Sequence, residues 1–221
     1  MARKKRTIFD VIQDGDRAKV ARFLAGNPDA LGERDQEGLS PLMRAVYEGK
    51  TEIVELVLSK EPELDVFEAA ALGRLDPLER LLKRSAKAAT AFSKDGFTAL
   101  HLAAYFGRPE AARLLLERGA DVHARSKNSR LPSVQPLHSA AAGRQTEVAR
   151  LLLEHGADPN ATQAGGWTPL HSAAANGNVD LVRLLLECGA DPKKQSDDRT
   201  PPVEFAIENR HYEVVSLLRG A

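Results

Sequence analysis

The stretch that decides the fold runs from Trp167 to Lys194, WTPLHSAAANGNVDLVRLLLECGADPKK. It predicts two short helices. Thr168 stands where an N-cap hydroxyl accepts a backbone N–H, and Pro169 takes the first helical position, where no donor is lost. The small pair Ala173-Ala174 lets a neighbouring first helix approach closely, and Gly177 marks a turn. Leu184-Leu185-Leu186 then supplies the apolar face of a second helix, which Gly189 stops at the left-handed C′ position. A helix pair this short cannot bury such a face alone, so copies must stack.

Copies are present. FTALHLAAYFGRPEAARLLLERGADVHA begins at Phe97 and PLHSAAAGRQTEVARLLLEHGADPNA at Pro136. His101, His138 and His171 mark one position, 37 and 33 residues apart, and Gly119, Gly156 and Gly189 mark another. Thr98 repeats the cap of Thr168, and Ser40-Pro41 repeats the Thr-Pro pair. Ala103-Ala104 and Ala140-Ala141 repeat the small residues. Weaker copies place Phe9, Met43 and Phe67 upstream and Glu204 downstream at the histidine's position. Seven repeats result, approximately 7–38, 39–65, 66–96, 97–130, 131–163, 164–196 and 197–221, with the first and last as caps. They are expected to form a single domain over 7–221 behind a basic tail at 1–6.

The spacing is not uniform. Met43 and Phe67 are only 24 residues apart, so about nine residues are missing between Lys60 and Val66. Four extra residues within SKNSRLPSVQ lengthen the loop between His101 and His138. Arg144 falls where Gly107 and Gly177 sit in other copies, beside Gly143, and Arg210 takes that place in the last repeat.

The pattern G-x-T-P-L-H-x-A-A-x-x-G followed by L-L-L-x-x-G-A-D resembles the ankyrin repeat, strongly over 97–195 and more loosely from Thr7 to Leu218. The resemblance implies an all-α solenoid of antiparallel helix pairs with projecting finger hairpins and a concave binding face. It implies protein–protein recognition, and it assigns the histidine to hydrogen bonds with backbone and finger groups. Carried over position by position, the binding face comprises Leu39, Tyr47 and Glu48 from repeat two and Ala71 and Leu72 from repeat three. Repeat four adds Phe97, Tyr105 and Phe106, and repeat five Val134. Repeats six and seven add Trp167 and Asn176, then Glu208 and Asn209. Five of the chain's 11 aromatic residues (Tyr47, Phe97, Tyr105, Phe106 and Trp167) fall in this set, and aromatic anchors dominate interfaces. Trp167, on a finger, is expected to be exposed.

Composition narrows the function further. Lys plus Arg and Asp plus Glu both number 31, so no net field draws the chain to nucleic acid or membrane. No run approaches the ~20 apolar residues of a bilayer span, and Asp10, Asp14 and Asp16 follow the basic start where a signal peptide has an apolar core. A single cysteine, Cys188, fits a reducing compartment, so the expected location is cytoplasmic and the sequon at Asn160 goes unused. The chain is expected to be monomeric on its own, with another protein as partner.

No chemistry is legible. Histidines in successive repeats form a ladder about 8–10 Å per step, whereas zinc needs nitrogens within about 2.1 Å. His123, His155 and His211 fall at variable, surface-type positions. His138-Ser139 and His171-Ser172 are helix neighbours that project away from each other. Asp121, Asp158 and Asp191 open the fingers and are explained by local turn bonding. No phosphate-cradling glycine loop or C-x-x-C pair occurs. Neither an enzyme nor any cofactor or metal site is expected. The rival reading is a nucleic-acid or anionic-partner binder using Arg3-Lys4-Lys5-Arg6 together with Arg125, Lys127 and Arg130.

Overall fold

The computed structural model describes residues 6–221; Arg3, Lys4 and Lys5 of the basic start lie outside the described residues. Among the described residues the chain is all-α, with fourteen α-helices joined by turns and short 3₁₀ segments. They form two compact bodies, one ending at Leu64 and the other spanning Asp65–Ala221.

The N-terminal body holds α1 (Ile8–Gln13), α2 (Arg17–Gly26), α3 (Pro41–Tyr47) and α4 (Thr51–Leu58). Each helix packs on its pair mate, α1 also packs on α3 and α2 on α4. Ile8, Ile12, Val20 and Ile53 are almost completely enclosed. Ser40 caps α3 by accepting from the Met43 N–H, 3.1 Å away.

The C-terminal body holds five helix pairs. They are α5 (Val66–Leu72) with α6 (Leu75–Arg84), α7 (Ala99–Tyr105) with α8 (Pro109–Glu117) and α9 (Pro136–Ala142) with α10 (Thr146–Glu154). The last two are α11 (Pro169–Ala175) with α12 (Val179–Glu187) and α13 (Pro202–Glu208) with α14 (Tyr212–Arg219). First helices stack in one row and second helices in another. The alanines at 103, 104, 140, 141, 173 and 174 are fully buried between first helices, as their size predicts. Gly119, Gly156 and Gly189 adopt φ of +84° to +87°. The N–H of the alanine after each reaches back to the last turn of its helix, as Ala190 does to Leu185 at 2.9 Å.

Repeats one and three differ from the rest in register. Counted back from the turn, Phe9 and Phe67 hold the histidine's place. The side chains that cap α1 and α5, however, are Asp10 on Thr7 and Glu68 on Asp65, one residue later. The segment from N-cap to turn glycine is therefore one residue shorter in each, Thr7 to Gly15 and Asp65 to Gly73 against Thr98 to Gly107. A carboxylate that bonds the N-cap N–H does the local half of the histidine's work.

The substitution at Arg144 has a physical explanation. Arg144 keeps the left-handed turn conformation of Gly107 and Gly177, with φ +62° against +65°. Glycine is needed one residue earlier, because a Cβ on Gly143 would stand 2.1 Å from the Tyr105 carbonyl oxygen. Left-handed backbone costs a residue with a Cβ about 1–2 kcal/mol, partly offset by the smaller entropy its unfolded form loses. Arg144→Gly should therefore stabilise the C-terminal body by about 0.5–1 kcal/mol, read as a raised urea midpoint. A lowered midpoint would show that the arginine side chain holds something in place.

Candidate interaction surface

The fingers are held from behind by the histidines. In repeat four, Thr98 N–H donates to His101 Nδ1 at 3.2 Å, and the Thr98 hydroxyl lies 2.7 Å from the same nitrogen. Nδ1 is thereby fixed as an acceptor, so Nε2 carries the hydrogen and donates to the Val134 carbonyl of the next finger at 2.9 Å. His138 reaches the Trp167 carbonyl at 3.2 Å and His171 the Thr200 carbonyl at 3.1 Å. Each histidine thus joins its own N-cap to the finger of the following repeat. At Thr168 the capping box pairs the hydroxyl with the backbone of His171, and the hydroxyl also lies 2.8 Å from the His171 ring. Burial pushes His101 and His138 down to about 4, against smaller upward pulls from the carbonyls they bond. His171 is lowered for the same first reason. Gln135 replaces threonine in repeat five, and its buried Oε1 has no hydrogen-bond partner in the structure.

A second set of ties runs along the helix turns, and no consensus position announces it. Lys50 Nζ donates to the Gln13 carbonyl within the N-terminal body. In the C-terminal body Arg108 Nε donates to Ala71 at 3.0 Å, Asn178 to Arg144 at 3.3 Å and His211 Nε2 to Ala175 at 3.1 Å. In these four repeats the N-cap residue of the second helix thus holds the turn of the repeat before it, whereas Gln145 of repeat five bonds the Gly143 carbonyl of its own repeat. His211, expected at a variable surface position, is half-buried for this reason.

Several expected partner-contact residues are spent inside the fold. Leu39 is buried at 8 % exposure, and Val134 is buried with its carbonyl engaged by His101. Ala71 is enclosed completely, on a helix that packs against α7. Trp167 is half-buried and not exposed, because its ring lies 4.5 Å from Phe205 and 5.8 Å from the His171 ring. Phe97 packs edge-on against His101 at 5.7 Å. Asn176 uses its side-chain amide on the Ala141 and Ala142 carbonyls.

Others remain available. Glu48 lies at the surface of the N-terminal body, its carboxylate 3.9 Å from Lys50 Nζ, with Tyr47 half-buried beside it. In the C-terminal body Leu72 is half-buried, Tyr105 is 42 % exposed, and Ala142, Glu208 and Asn209 are exposed. Tyr105 and Phe106 meet edge-to-face at 5.1 Å. That contact fixes the tyrosine ring at the point where α7 ends against Gly143. The sequence missed exposed Ala142, which occupies the equivalent place in repeat five.

The remaining suspected chemistry is local structure. Asp121, Asp158 and Asp191 each accept from the backbone N–H two residues on, at 2.8 Å. Asn160 of the sequon bonds Gly189 and Asp191 of the next repeat. Cys188 is an exposed free thiol. Among the described residues no three His, Cys, Asp or Glu side chains come together to hold a metal ion, and no helix is long and apolar enough to cross a membrane.

The helix pairs, finger hairpins and histidine ties recur seven, five and three times over, and a family model describes them. Its three copies, of ankyrin repeats, match residues 8–126, 66–163 and 137–221. The chain belongs to the ankyrin-repeat family. It is similar to protein phosphatase 1 regulatory subunit 27 of Homo sapiens, 34 % identical over 125 residues, covering 57 % of this chain and 65 % of that one. It is also similar to neurogenic locus notch homolog protein 4 of Homo sapiens, 39 % identical over 105 residues, 48 % of this chain and 5 % of that one. With the ankyrin repeat and SAM domain-containing protein 6 of Rattus norvegicus it shares 28 % identity over 135 residues, 56 % of this chain and 15 % of that one. The ankyrin repeats thus span less than two thirds of the length of these relatives. Ankyrin repeats are protein-interaction modules, and the ties described above leave their loop and helix-end residues free to vary.

Proposed function

We propose that this chain is a non-catalytic recognition module whose protein partner rests on the first-helix ends of the C-terminal body, with Tyr105 as its anchor. The observation that carries this reading is Tyr105 itself. It is a large aromatic, 42 % exposed, held rigid by Phe106 and with no part in the ties between repeats. Rigid tyrosines bind at low entropic cost and are enriched among residues that dominate interfaces. Leu72 and Ala142 extend the apolar strip to either side, and Glu208 and Asn209 give it a polar end. A relative that is by name a regulatory subunit supports a role in which the bound partner is regulated by masking its surface. An exposed, unpaired Cys188 supports a reducing, cytoplasmic location.

The test is a partner captured with the wild-type chain and titrated against Tyr105→Ala. Affinity should fall about tenfold or more, while stability changes by only about 0.5 kcal/mol, as for an ordinary surface site. An unchanged affinity would move the interface elsewhere. The rival, an anionic nucleic-acid partner at Arg125, Lys127 and Arg130, requires affinity that falls steeply with salt and ignores Tyr105.

A further inference from the structure

The outer end of the C-terminal body is not finished as a cap. Terminal repeats of a solenoid keep a polar outer face so that the stack stays soluble. Repeat seven keeps the apolar pattern of an inner repeat instead. Aligned on Glu204, its Val203 takes the place of Leu100, Leu137 and Leu170, and its Ile207 that of Ala104, Ala141 and Ala174. Those inner residues are all completely enclosed, whereas Val203 is only half-buried and Ile207 is 37 % exposed. Tyr212, at the start of α14, is 70 % exposed.

A further repeat in the ordinary register does not fit this end. The inner joints set first helix against first helix over buried alanines, and a β-branched side chain at 207 holds an incoming first helix further out. Glu204 also stands where His101, His138 and His171 stand, so no imidazole is present to tie a following finger. The end does carry a self-complementary pattern. Glu204 lies three residues before Ile207, and Arg210 lies three residues after it. Both are exposed, and among the described residues neither side chain has an ionic or hydrogen-bonding partner.

We infer that this end of the C-terminal body is a dimerisation face, on which a second copy of the chain docks about a two-fold axis through Ile207. In such a contact the same patch serves both partners, and each pairing is made twice. Antiparallel α13 helices crossing at Ile207 set Glu204 of each copy opposite Arg210 of the other. The isoleucines meet on the axis, where side chains of that size suit the upper part of the ~8–10 Å range of helix separations. Val203 loses its remaining contact with water in the same step. Because both partners spend the same face, association closes at two chains, in place of the monomer that the sequence suggested. Nothing in this inference rests on the surface at Tyr105.

The test is sedimentation equilibrium of the full chain from low micromolar to sub-millimolar concentration. The weight-average mass should rise with concentration and level off at two chains. Glu204→Arg alone and Arg210→Glu alone each bring like charges together twice, so each should weaken association about tenfold or more. The two single variants mixed together should recover the dimer, since one then supplies both cations and the other both carboxylates. The double variant should recover it by itself. Ile207→Ser should abolish it, and Tyr105→Ala should leave it unchanged. Circular dichroism checks that each variant is folded. A wild-type mass that does not change with concentration overturns the inference. So does association that grows past two chains, survives Ile207→Ser, or is not recovered by the mixture and the double variant.

Discussion

Lowering the pH from 7 to 4 should strip the C-terminal body of about 3 kcal/mol for each of His101 and His138. The sign follows from burial. Each imidazole is held in folded protein at about 4, against 6.5 for the unfolded chain, because the charged form is excluded from its site. Between those values the unfolded state binds the extra proton, so stability falls as pH falls through 6.5 and levels off below about 4. By pH 5 the loss per histidine is already about 2 kcal/mol, before most carboxylates titrate. In the N-terminal body Asp35 adds its own acid sensitivity at lower pH. Burial alone would raise it, but hydrogen bonds from Arg44, Leu39 and Glu37 together hold it below the usual range. Urea midpoints of wild type and His101→Gln across this interval separate the contributions, because glutamine cannot titrate. Equal acid losses in the two proteins would exclude the histidine as the cause.

The second large effect is expected at Trp167. Its ring is clamped between Phe205 and His171, so Trp167→Ala removes a half-buried aromatic contact from the joint between repeats six and seven. Full truncation of a core aromatic costs about 3–5 kcal/mol; at half burial about 2 kcal/mol is expected, lowering Tm by about 4–8 °C in a body of this size. Tyr105→Ala should leave Tm nearly unchanged. As the only tryptophan in the chain, Trp167 also reports on this joint in the wild type, and its emission should shift red on unfolding. If Trp167→Ala melts with the wild type while partner affinity collapses, the finger is a contact surface after all.

Trp167 shows where sequence reading stops. The repeat fixes what a residue does within its own unit, and the caps, the buried alanines, the left-handed glycines and the histidine bonds were all legible in that way. It does not say what the neighbouring unit places opposite. Next to Trp167 stands Phe205, where the corresponding residues of other repeats are Leu102, Ser139 and Ser172. One departure in repeat seven therefore converts an expected free aromatic into packing. Asn176 and His211 were misjudged for the same reason, since their partners are carbonyls one repeat back. Tyr105 stayed exposed because Gly143, beside it, offers nothing to cover it. Repeats one and three slipped by a residue at their caps because Asp10 and Glu68 do the histidine's local task from one position later. The longer loop of repeat five was evident as an insertion, but its internal order depends on Ser126 and Asn128, ordinary polar residues with no visible signal.

The histidine bonds also have a direction. His101, His138 and His171 each give a hydrogen to the finger that follows, and none receives one from the finger before. Each of these repeats behaves as a coupling with a plug at one end and a socket at the other. A copy spliced in or out of the middle leaves every plug filled, so unequal recombination within this row carries little penalty. Cutting after a histidine-bearing repeat is different, because it strands a buried N–H that only a neighbouring carbonyl can satisfy. Libraries built by grafting repeats onto this chain should therefore tolerate changes of length in the middle far better than removal of the unit that receives His171.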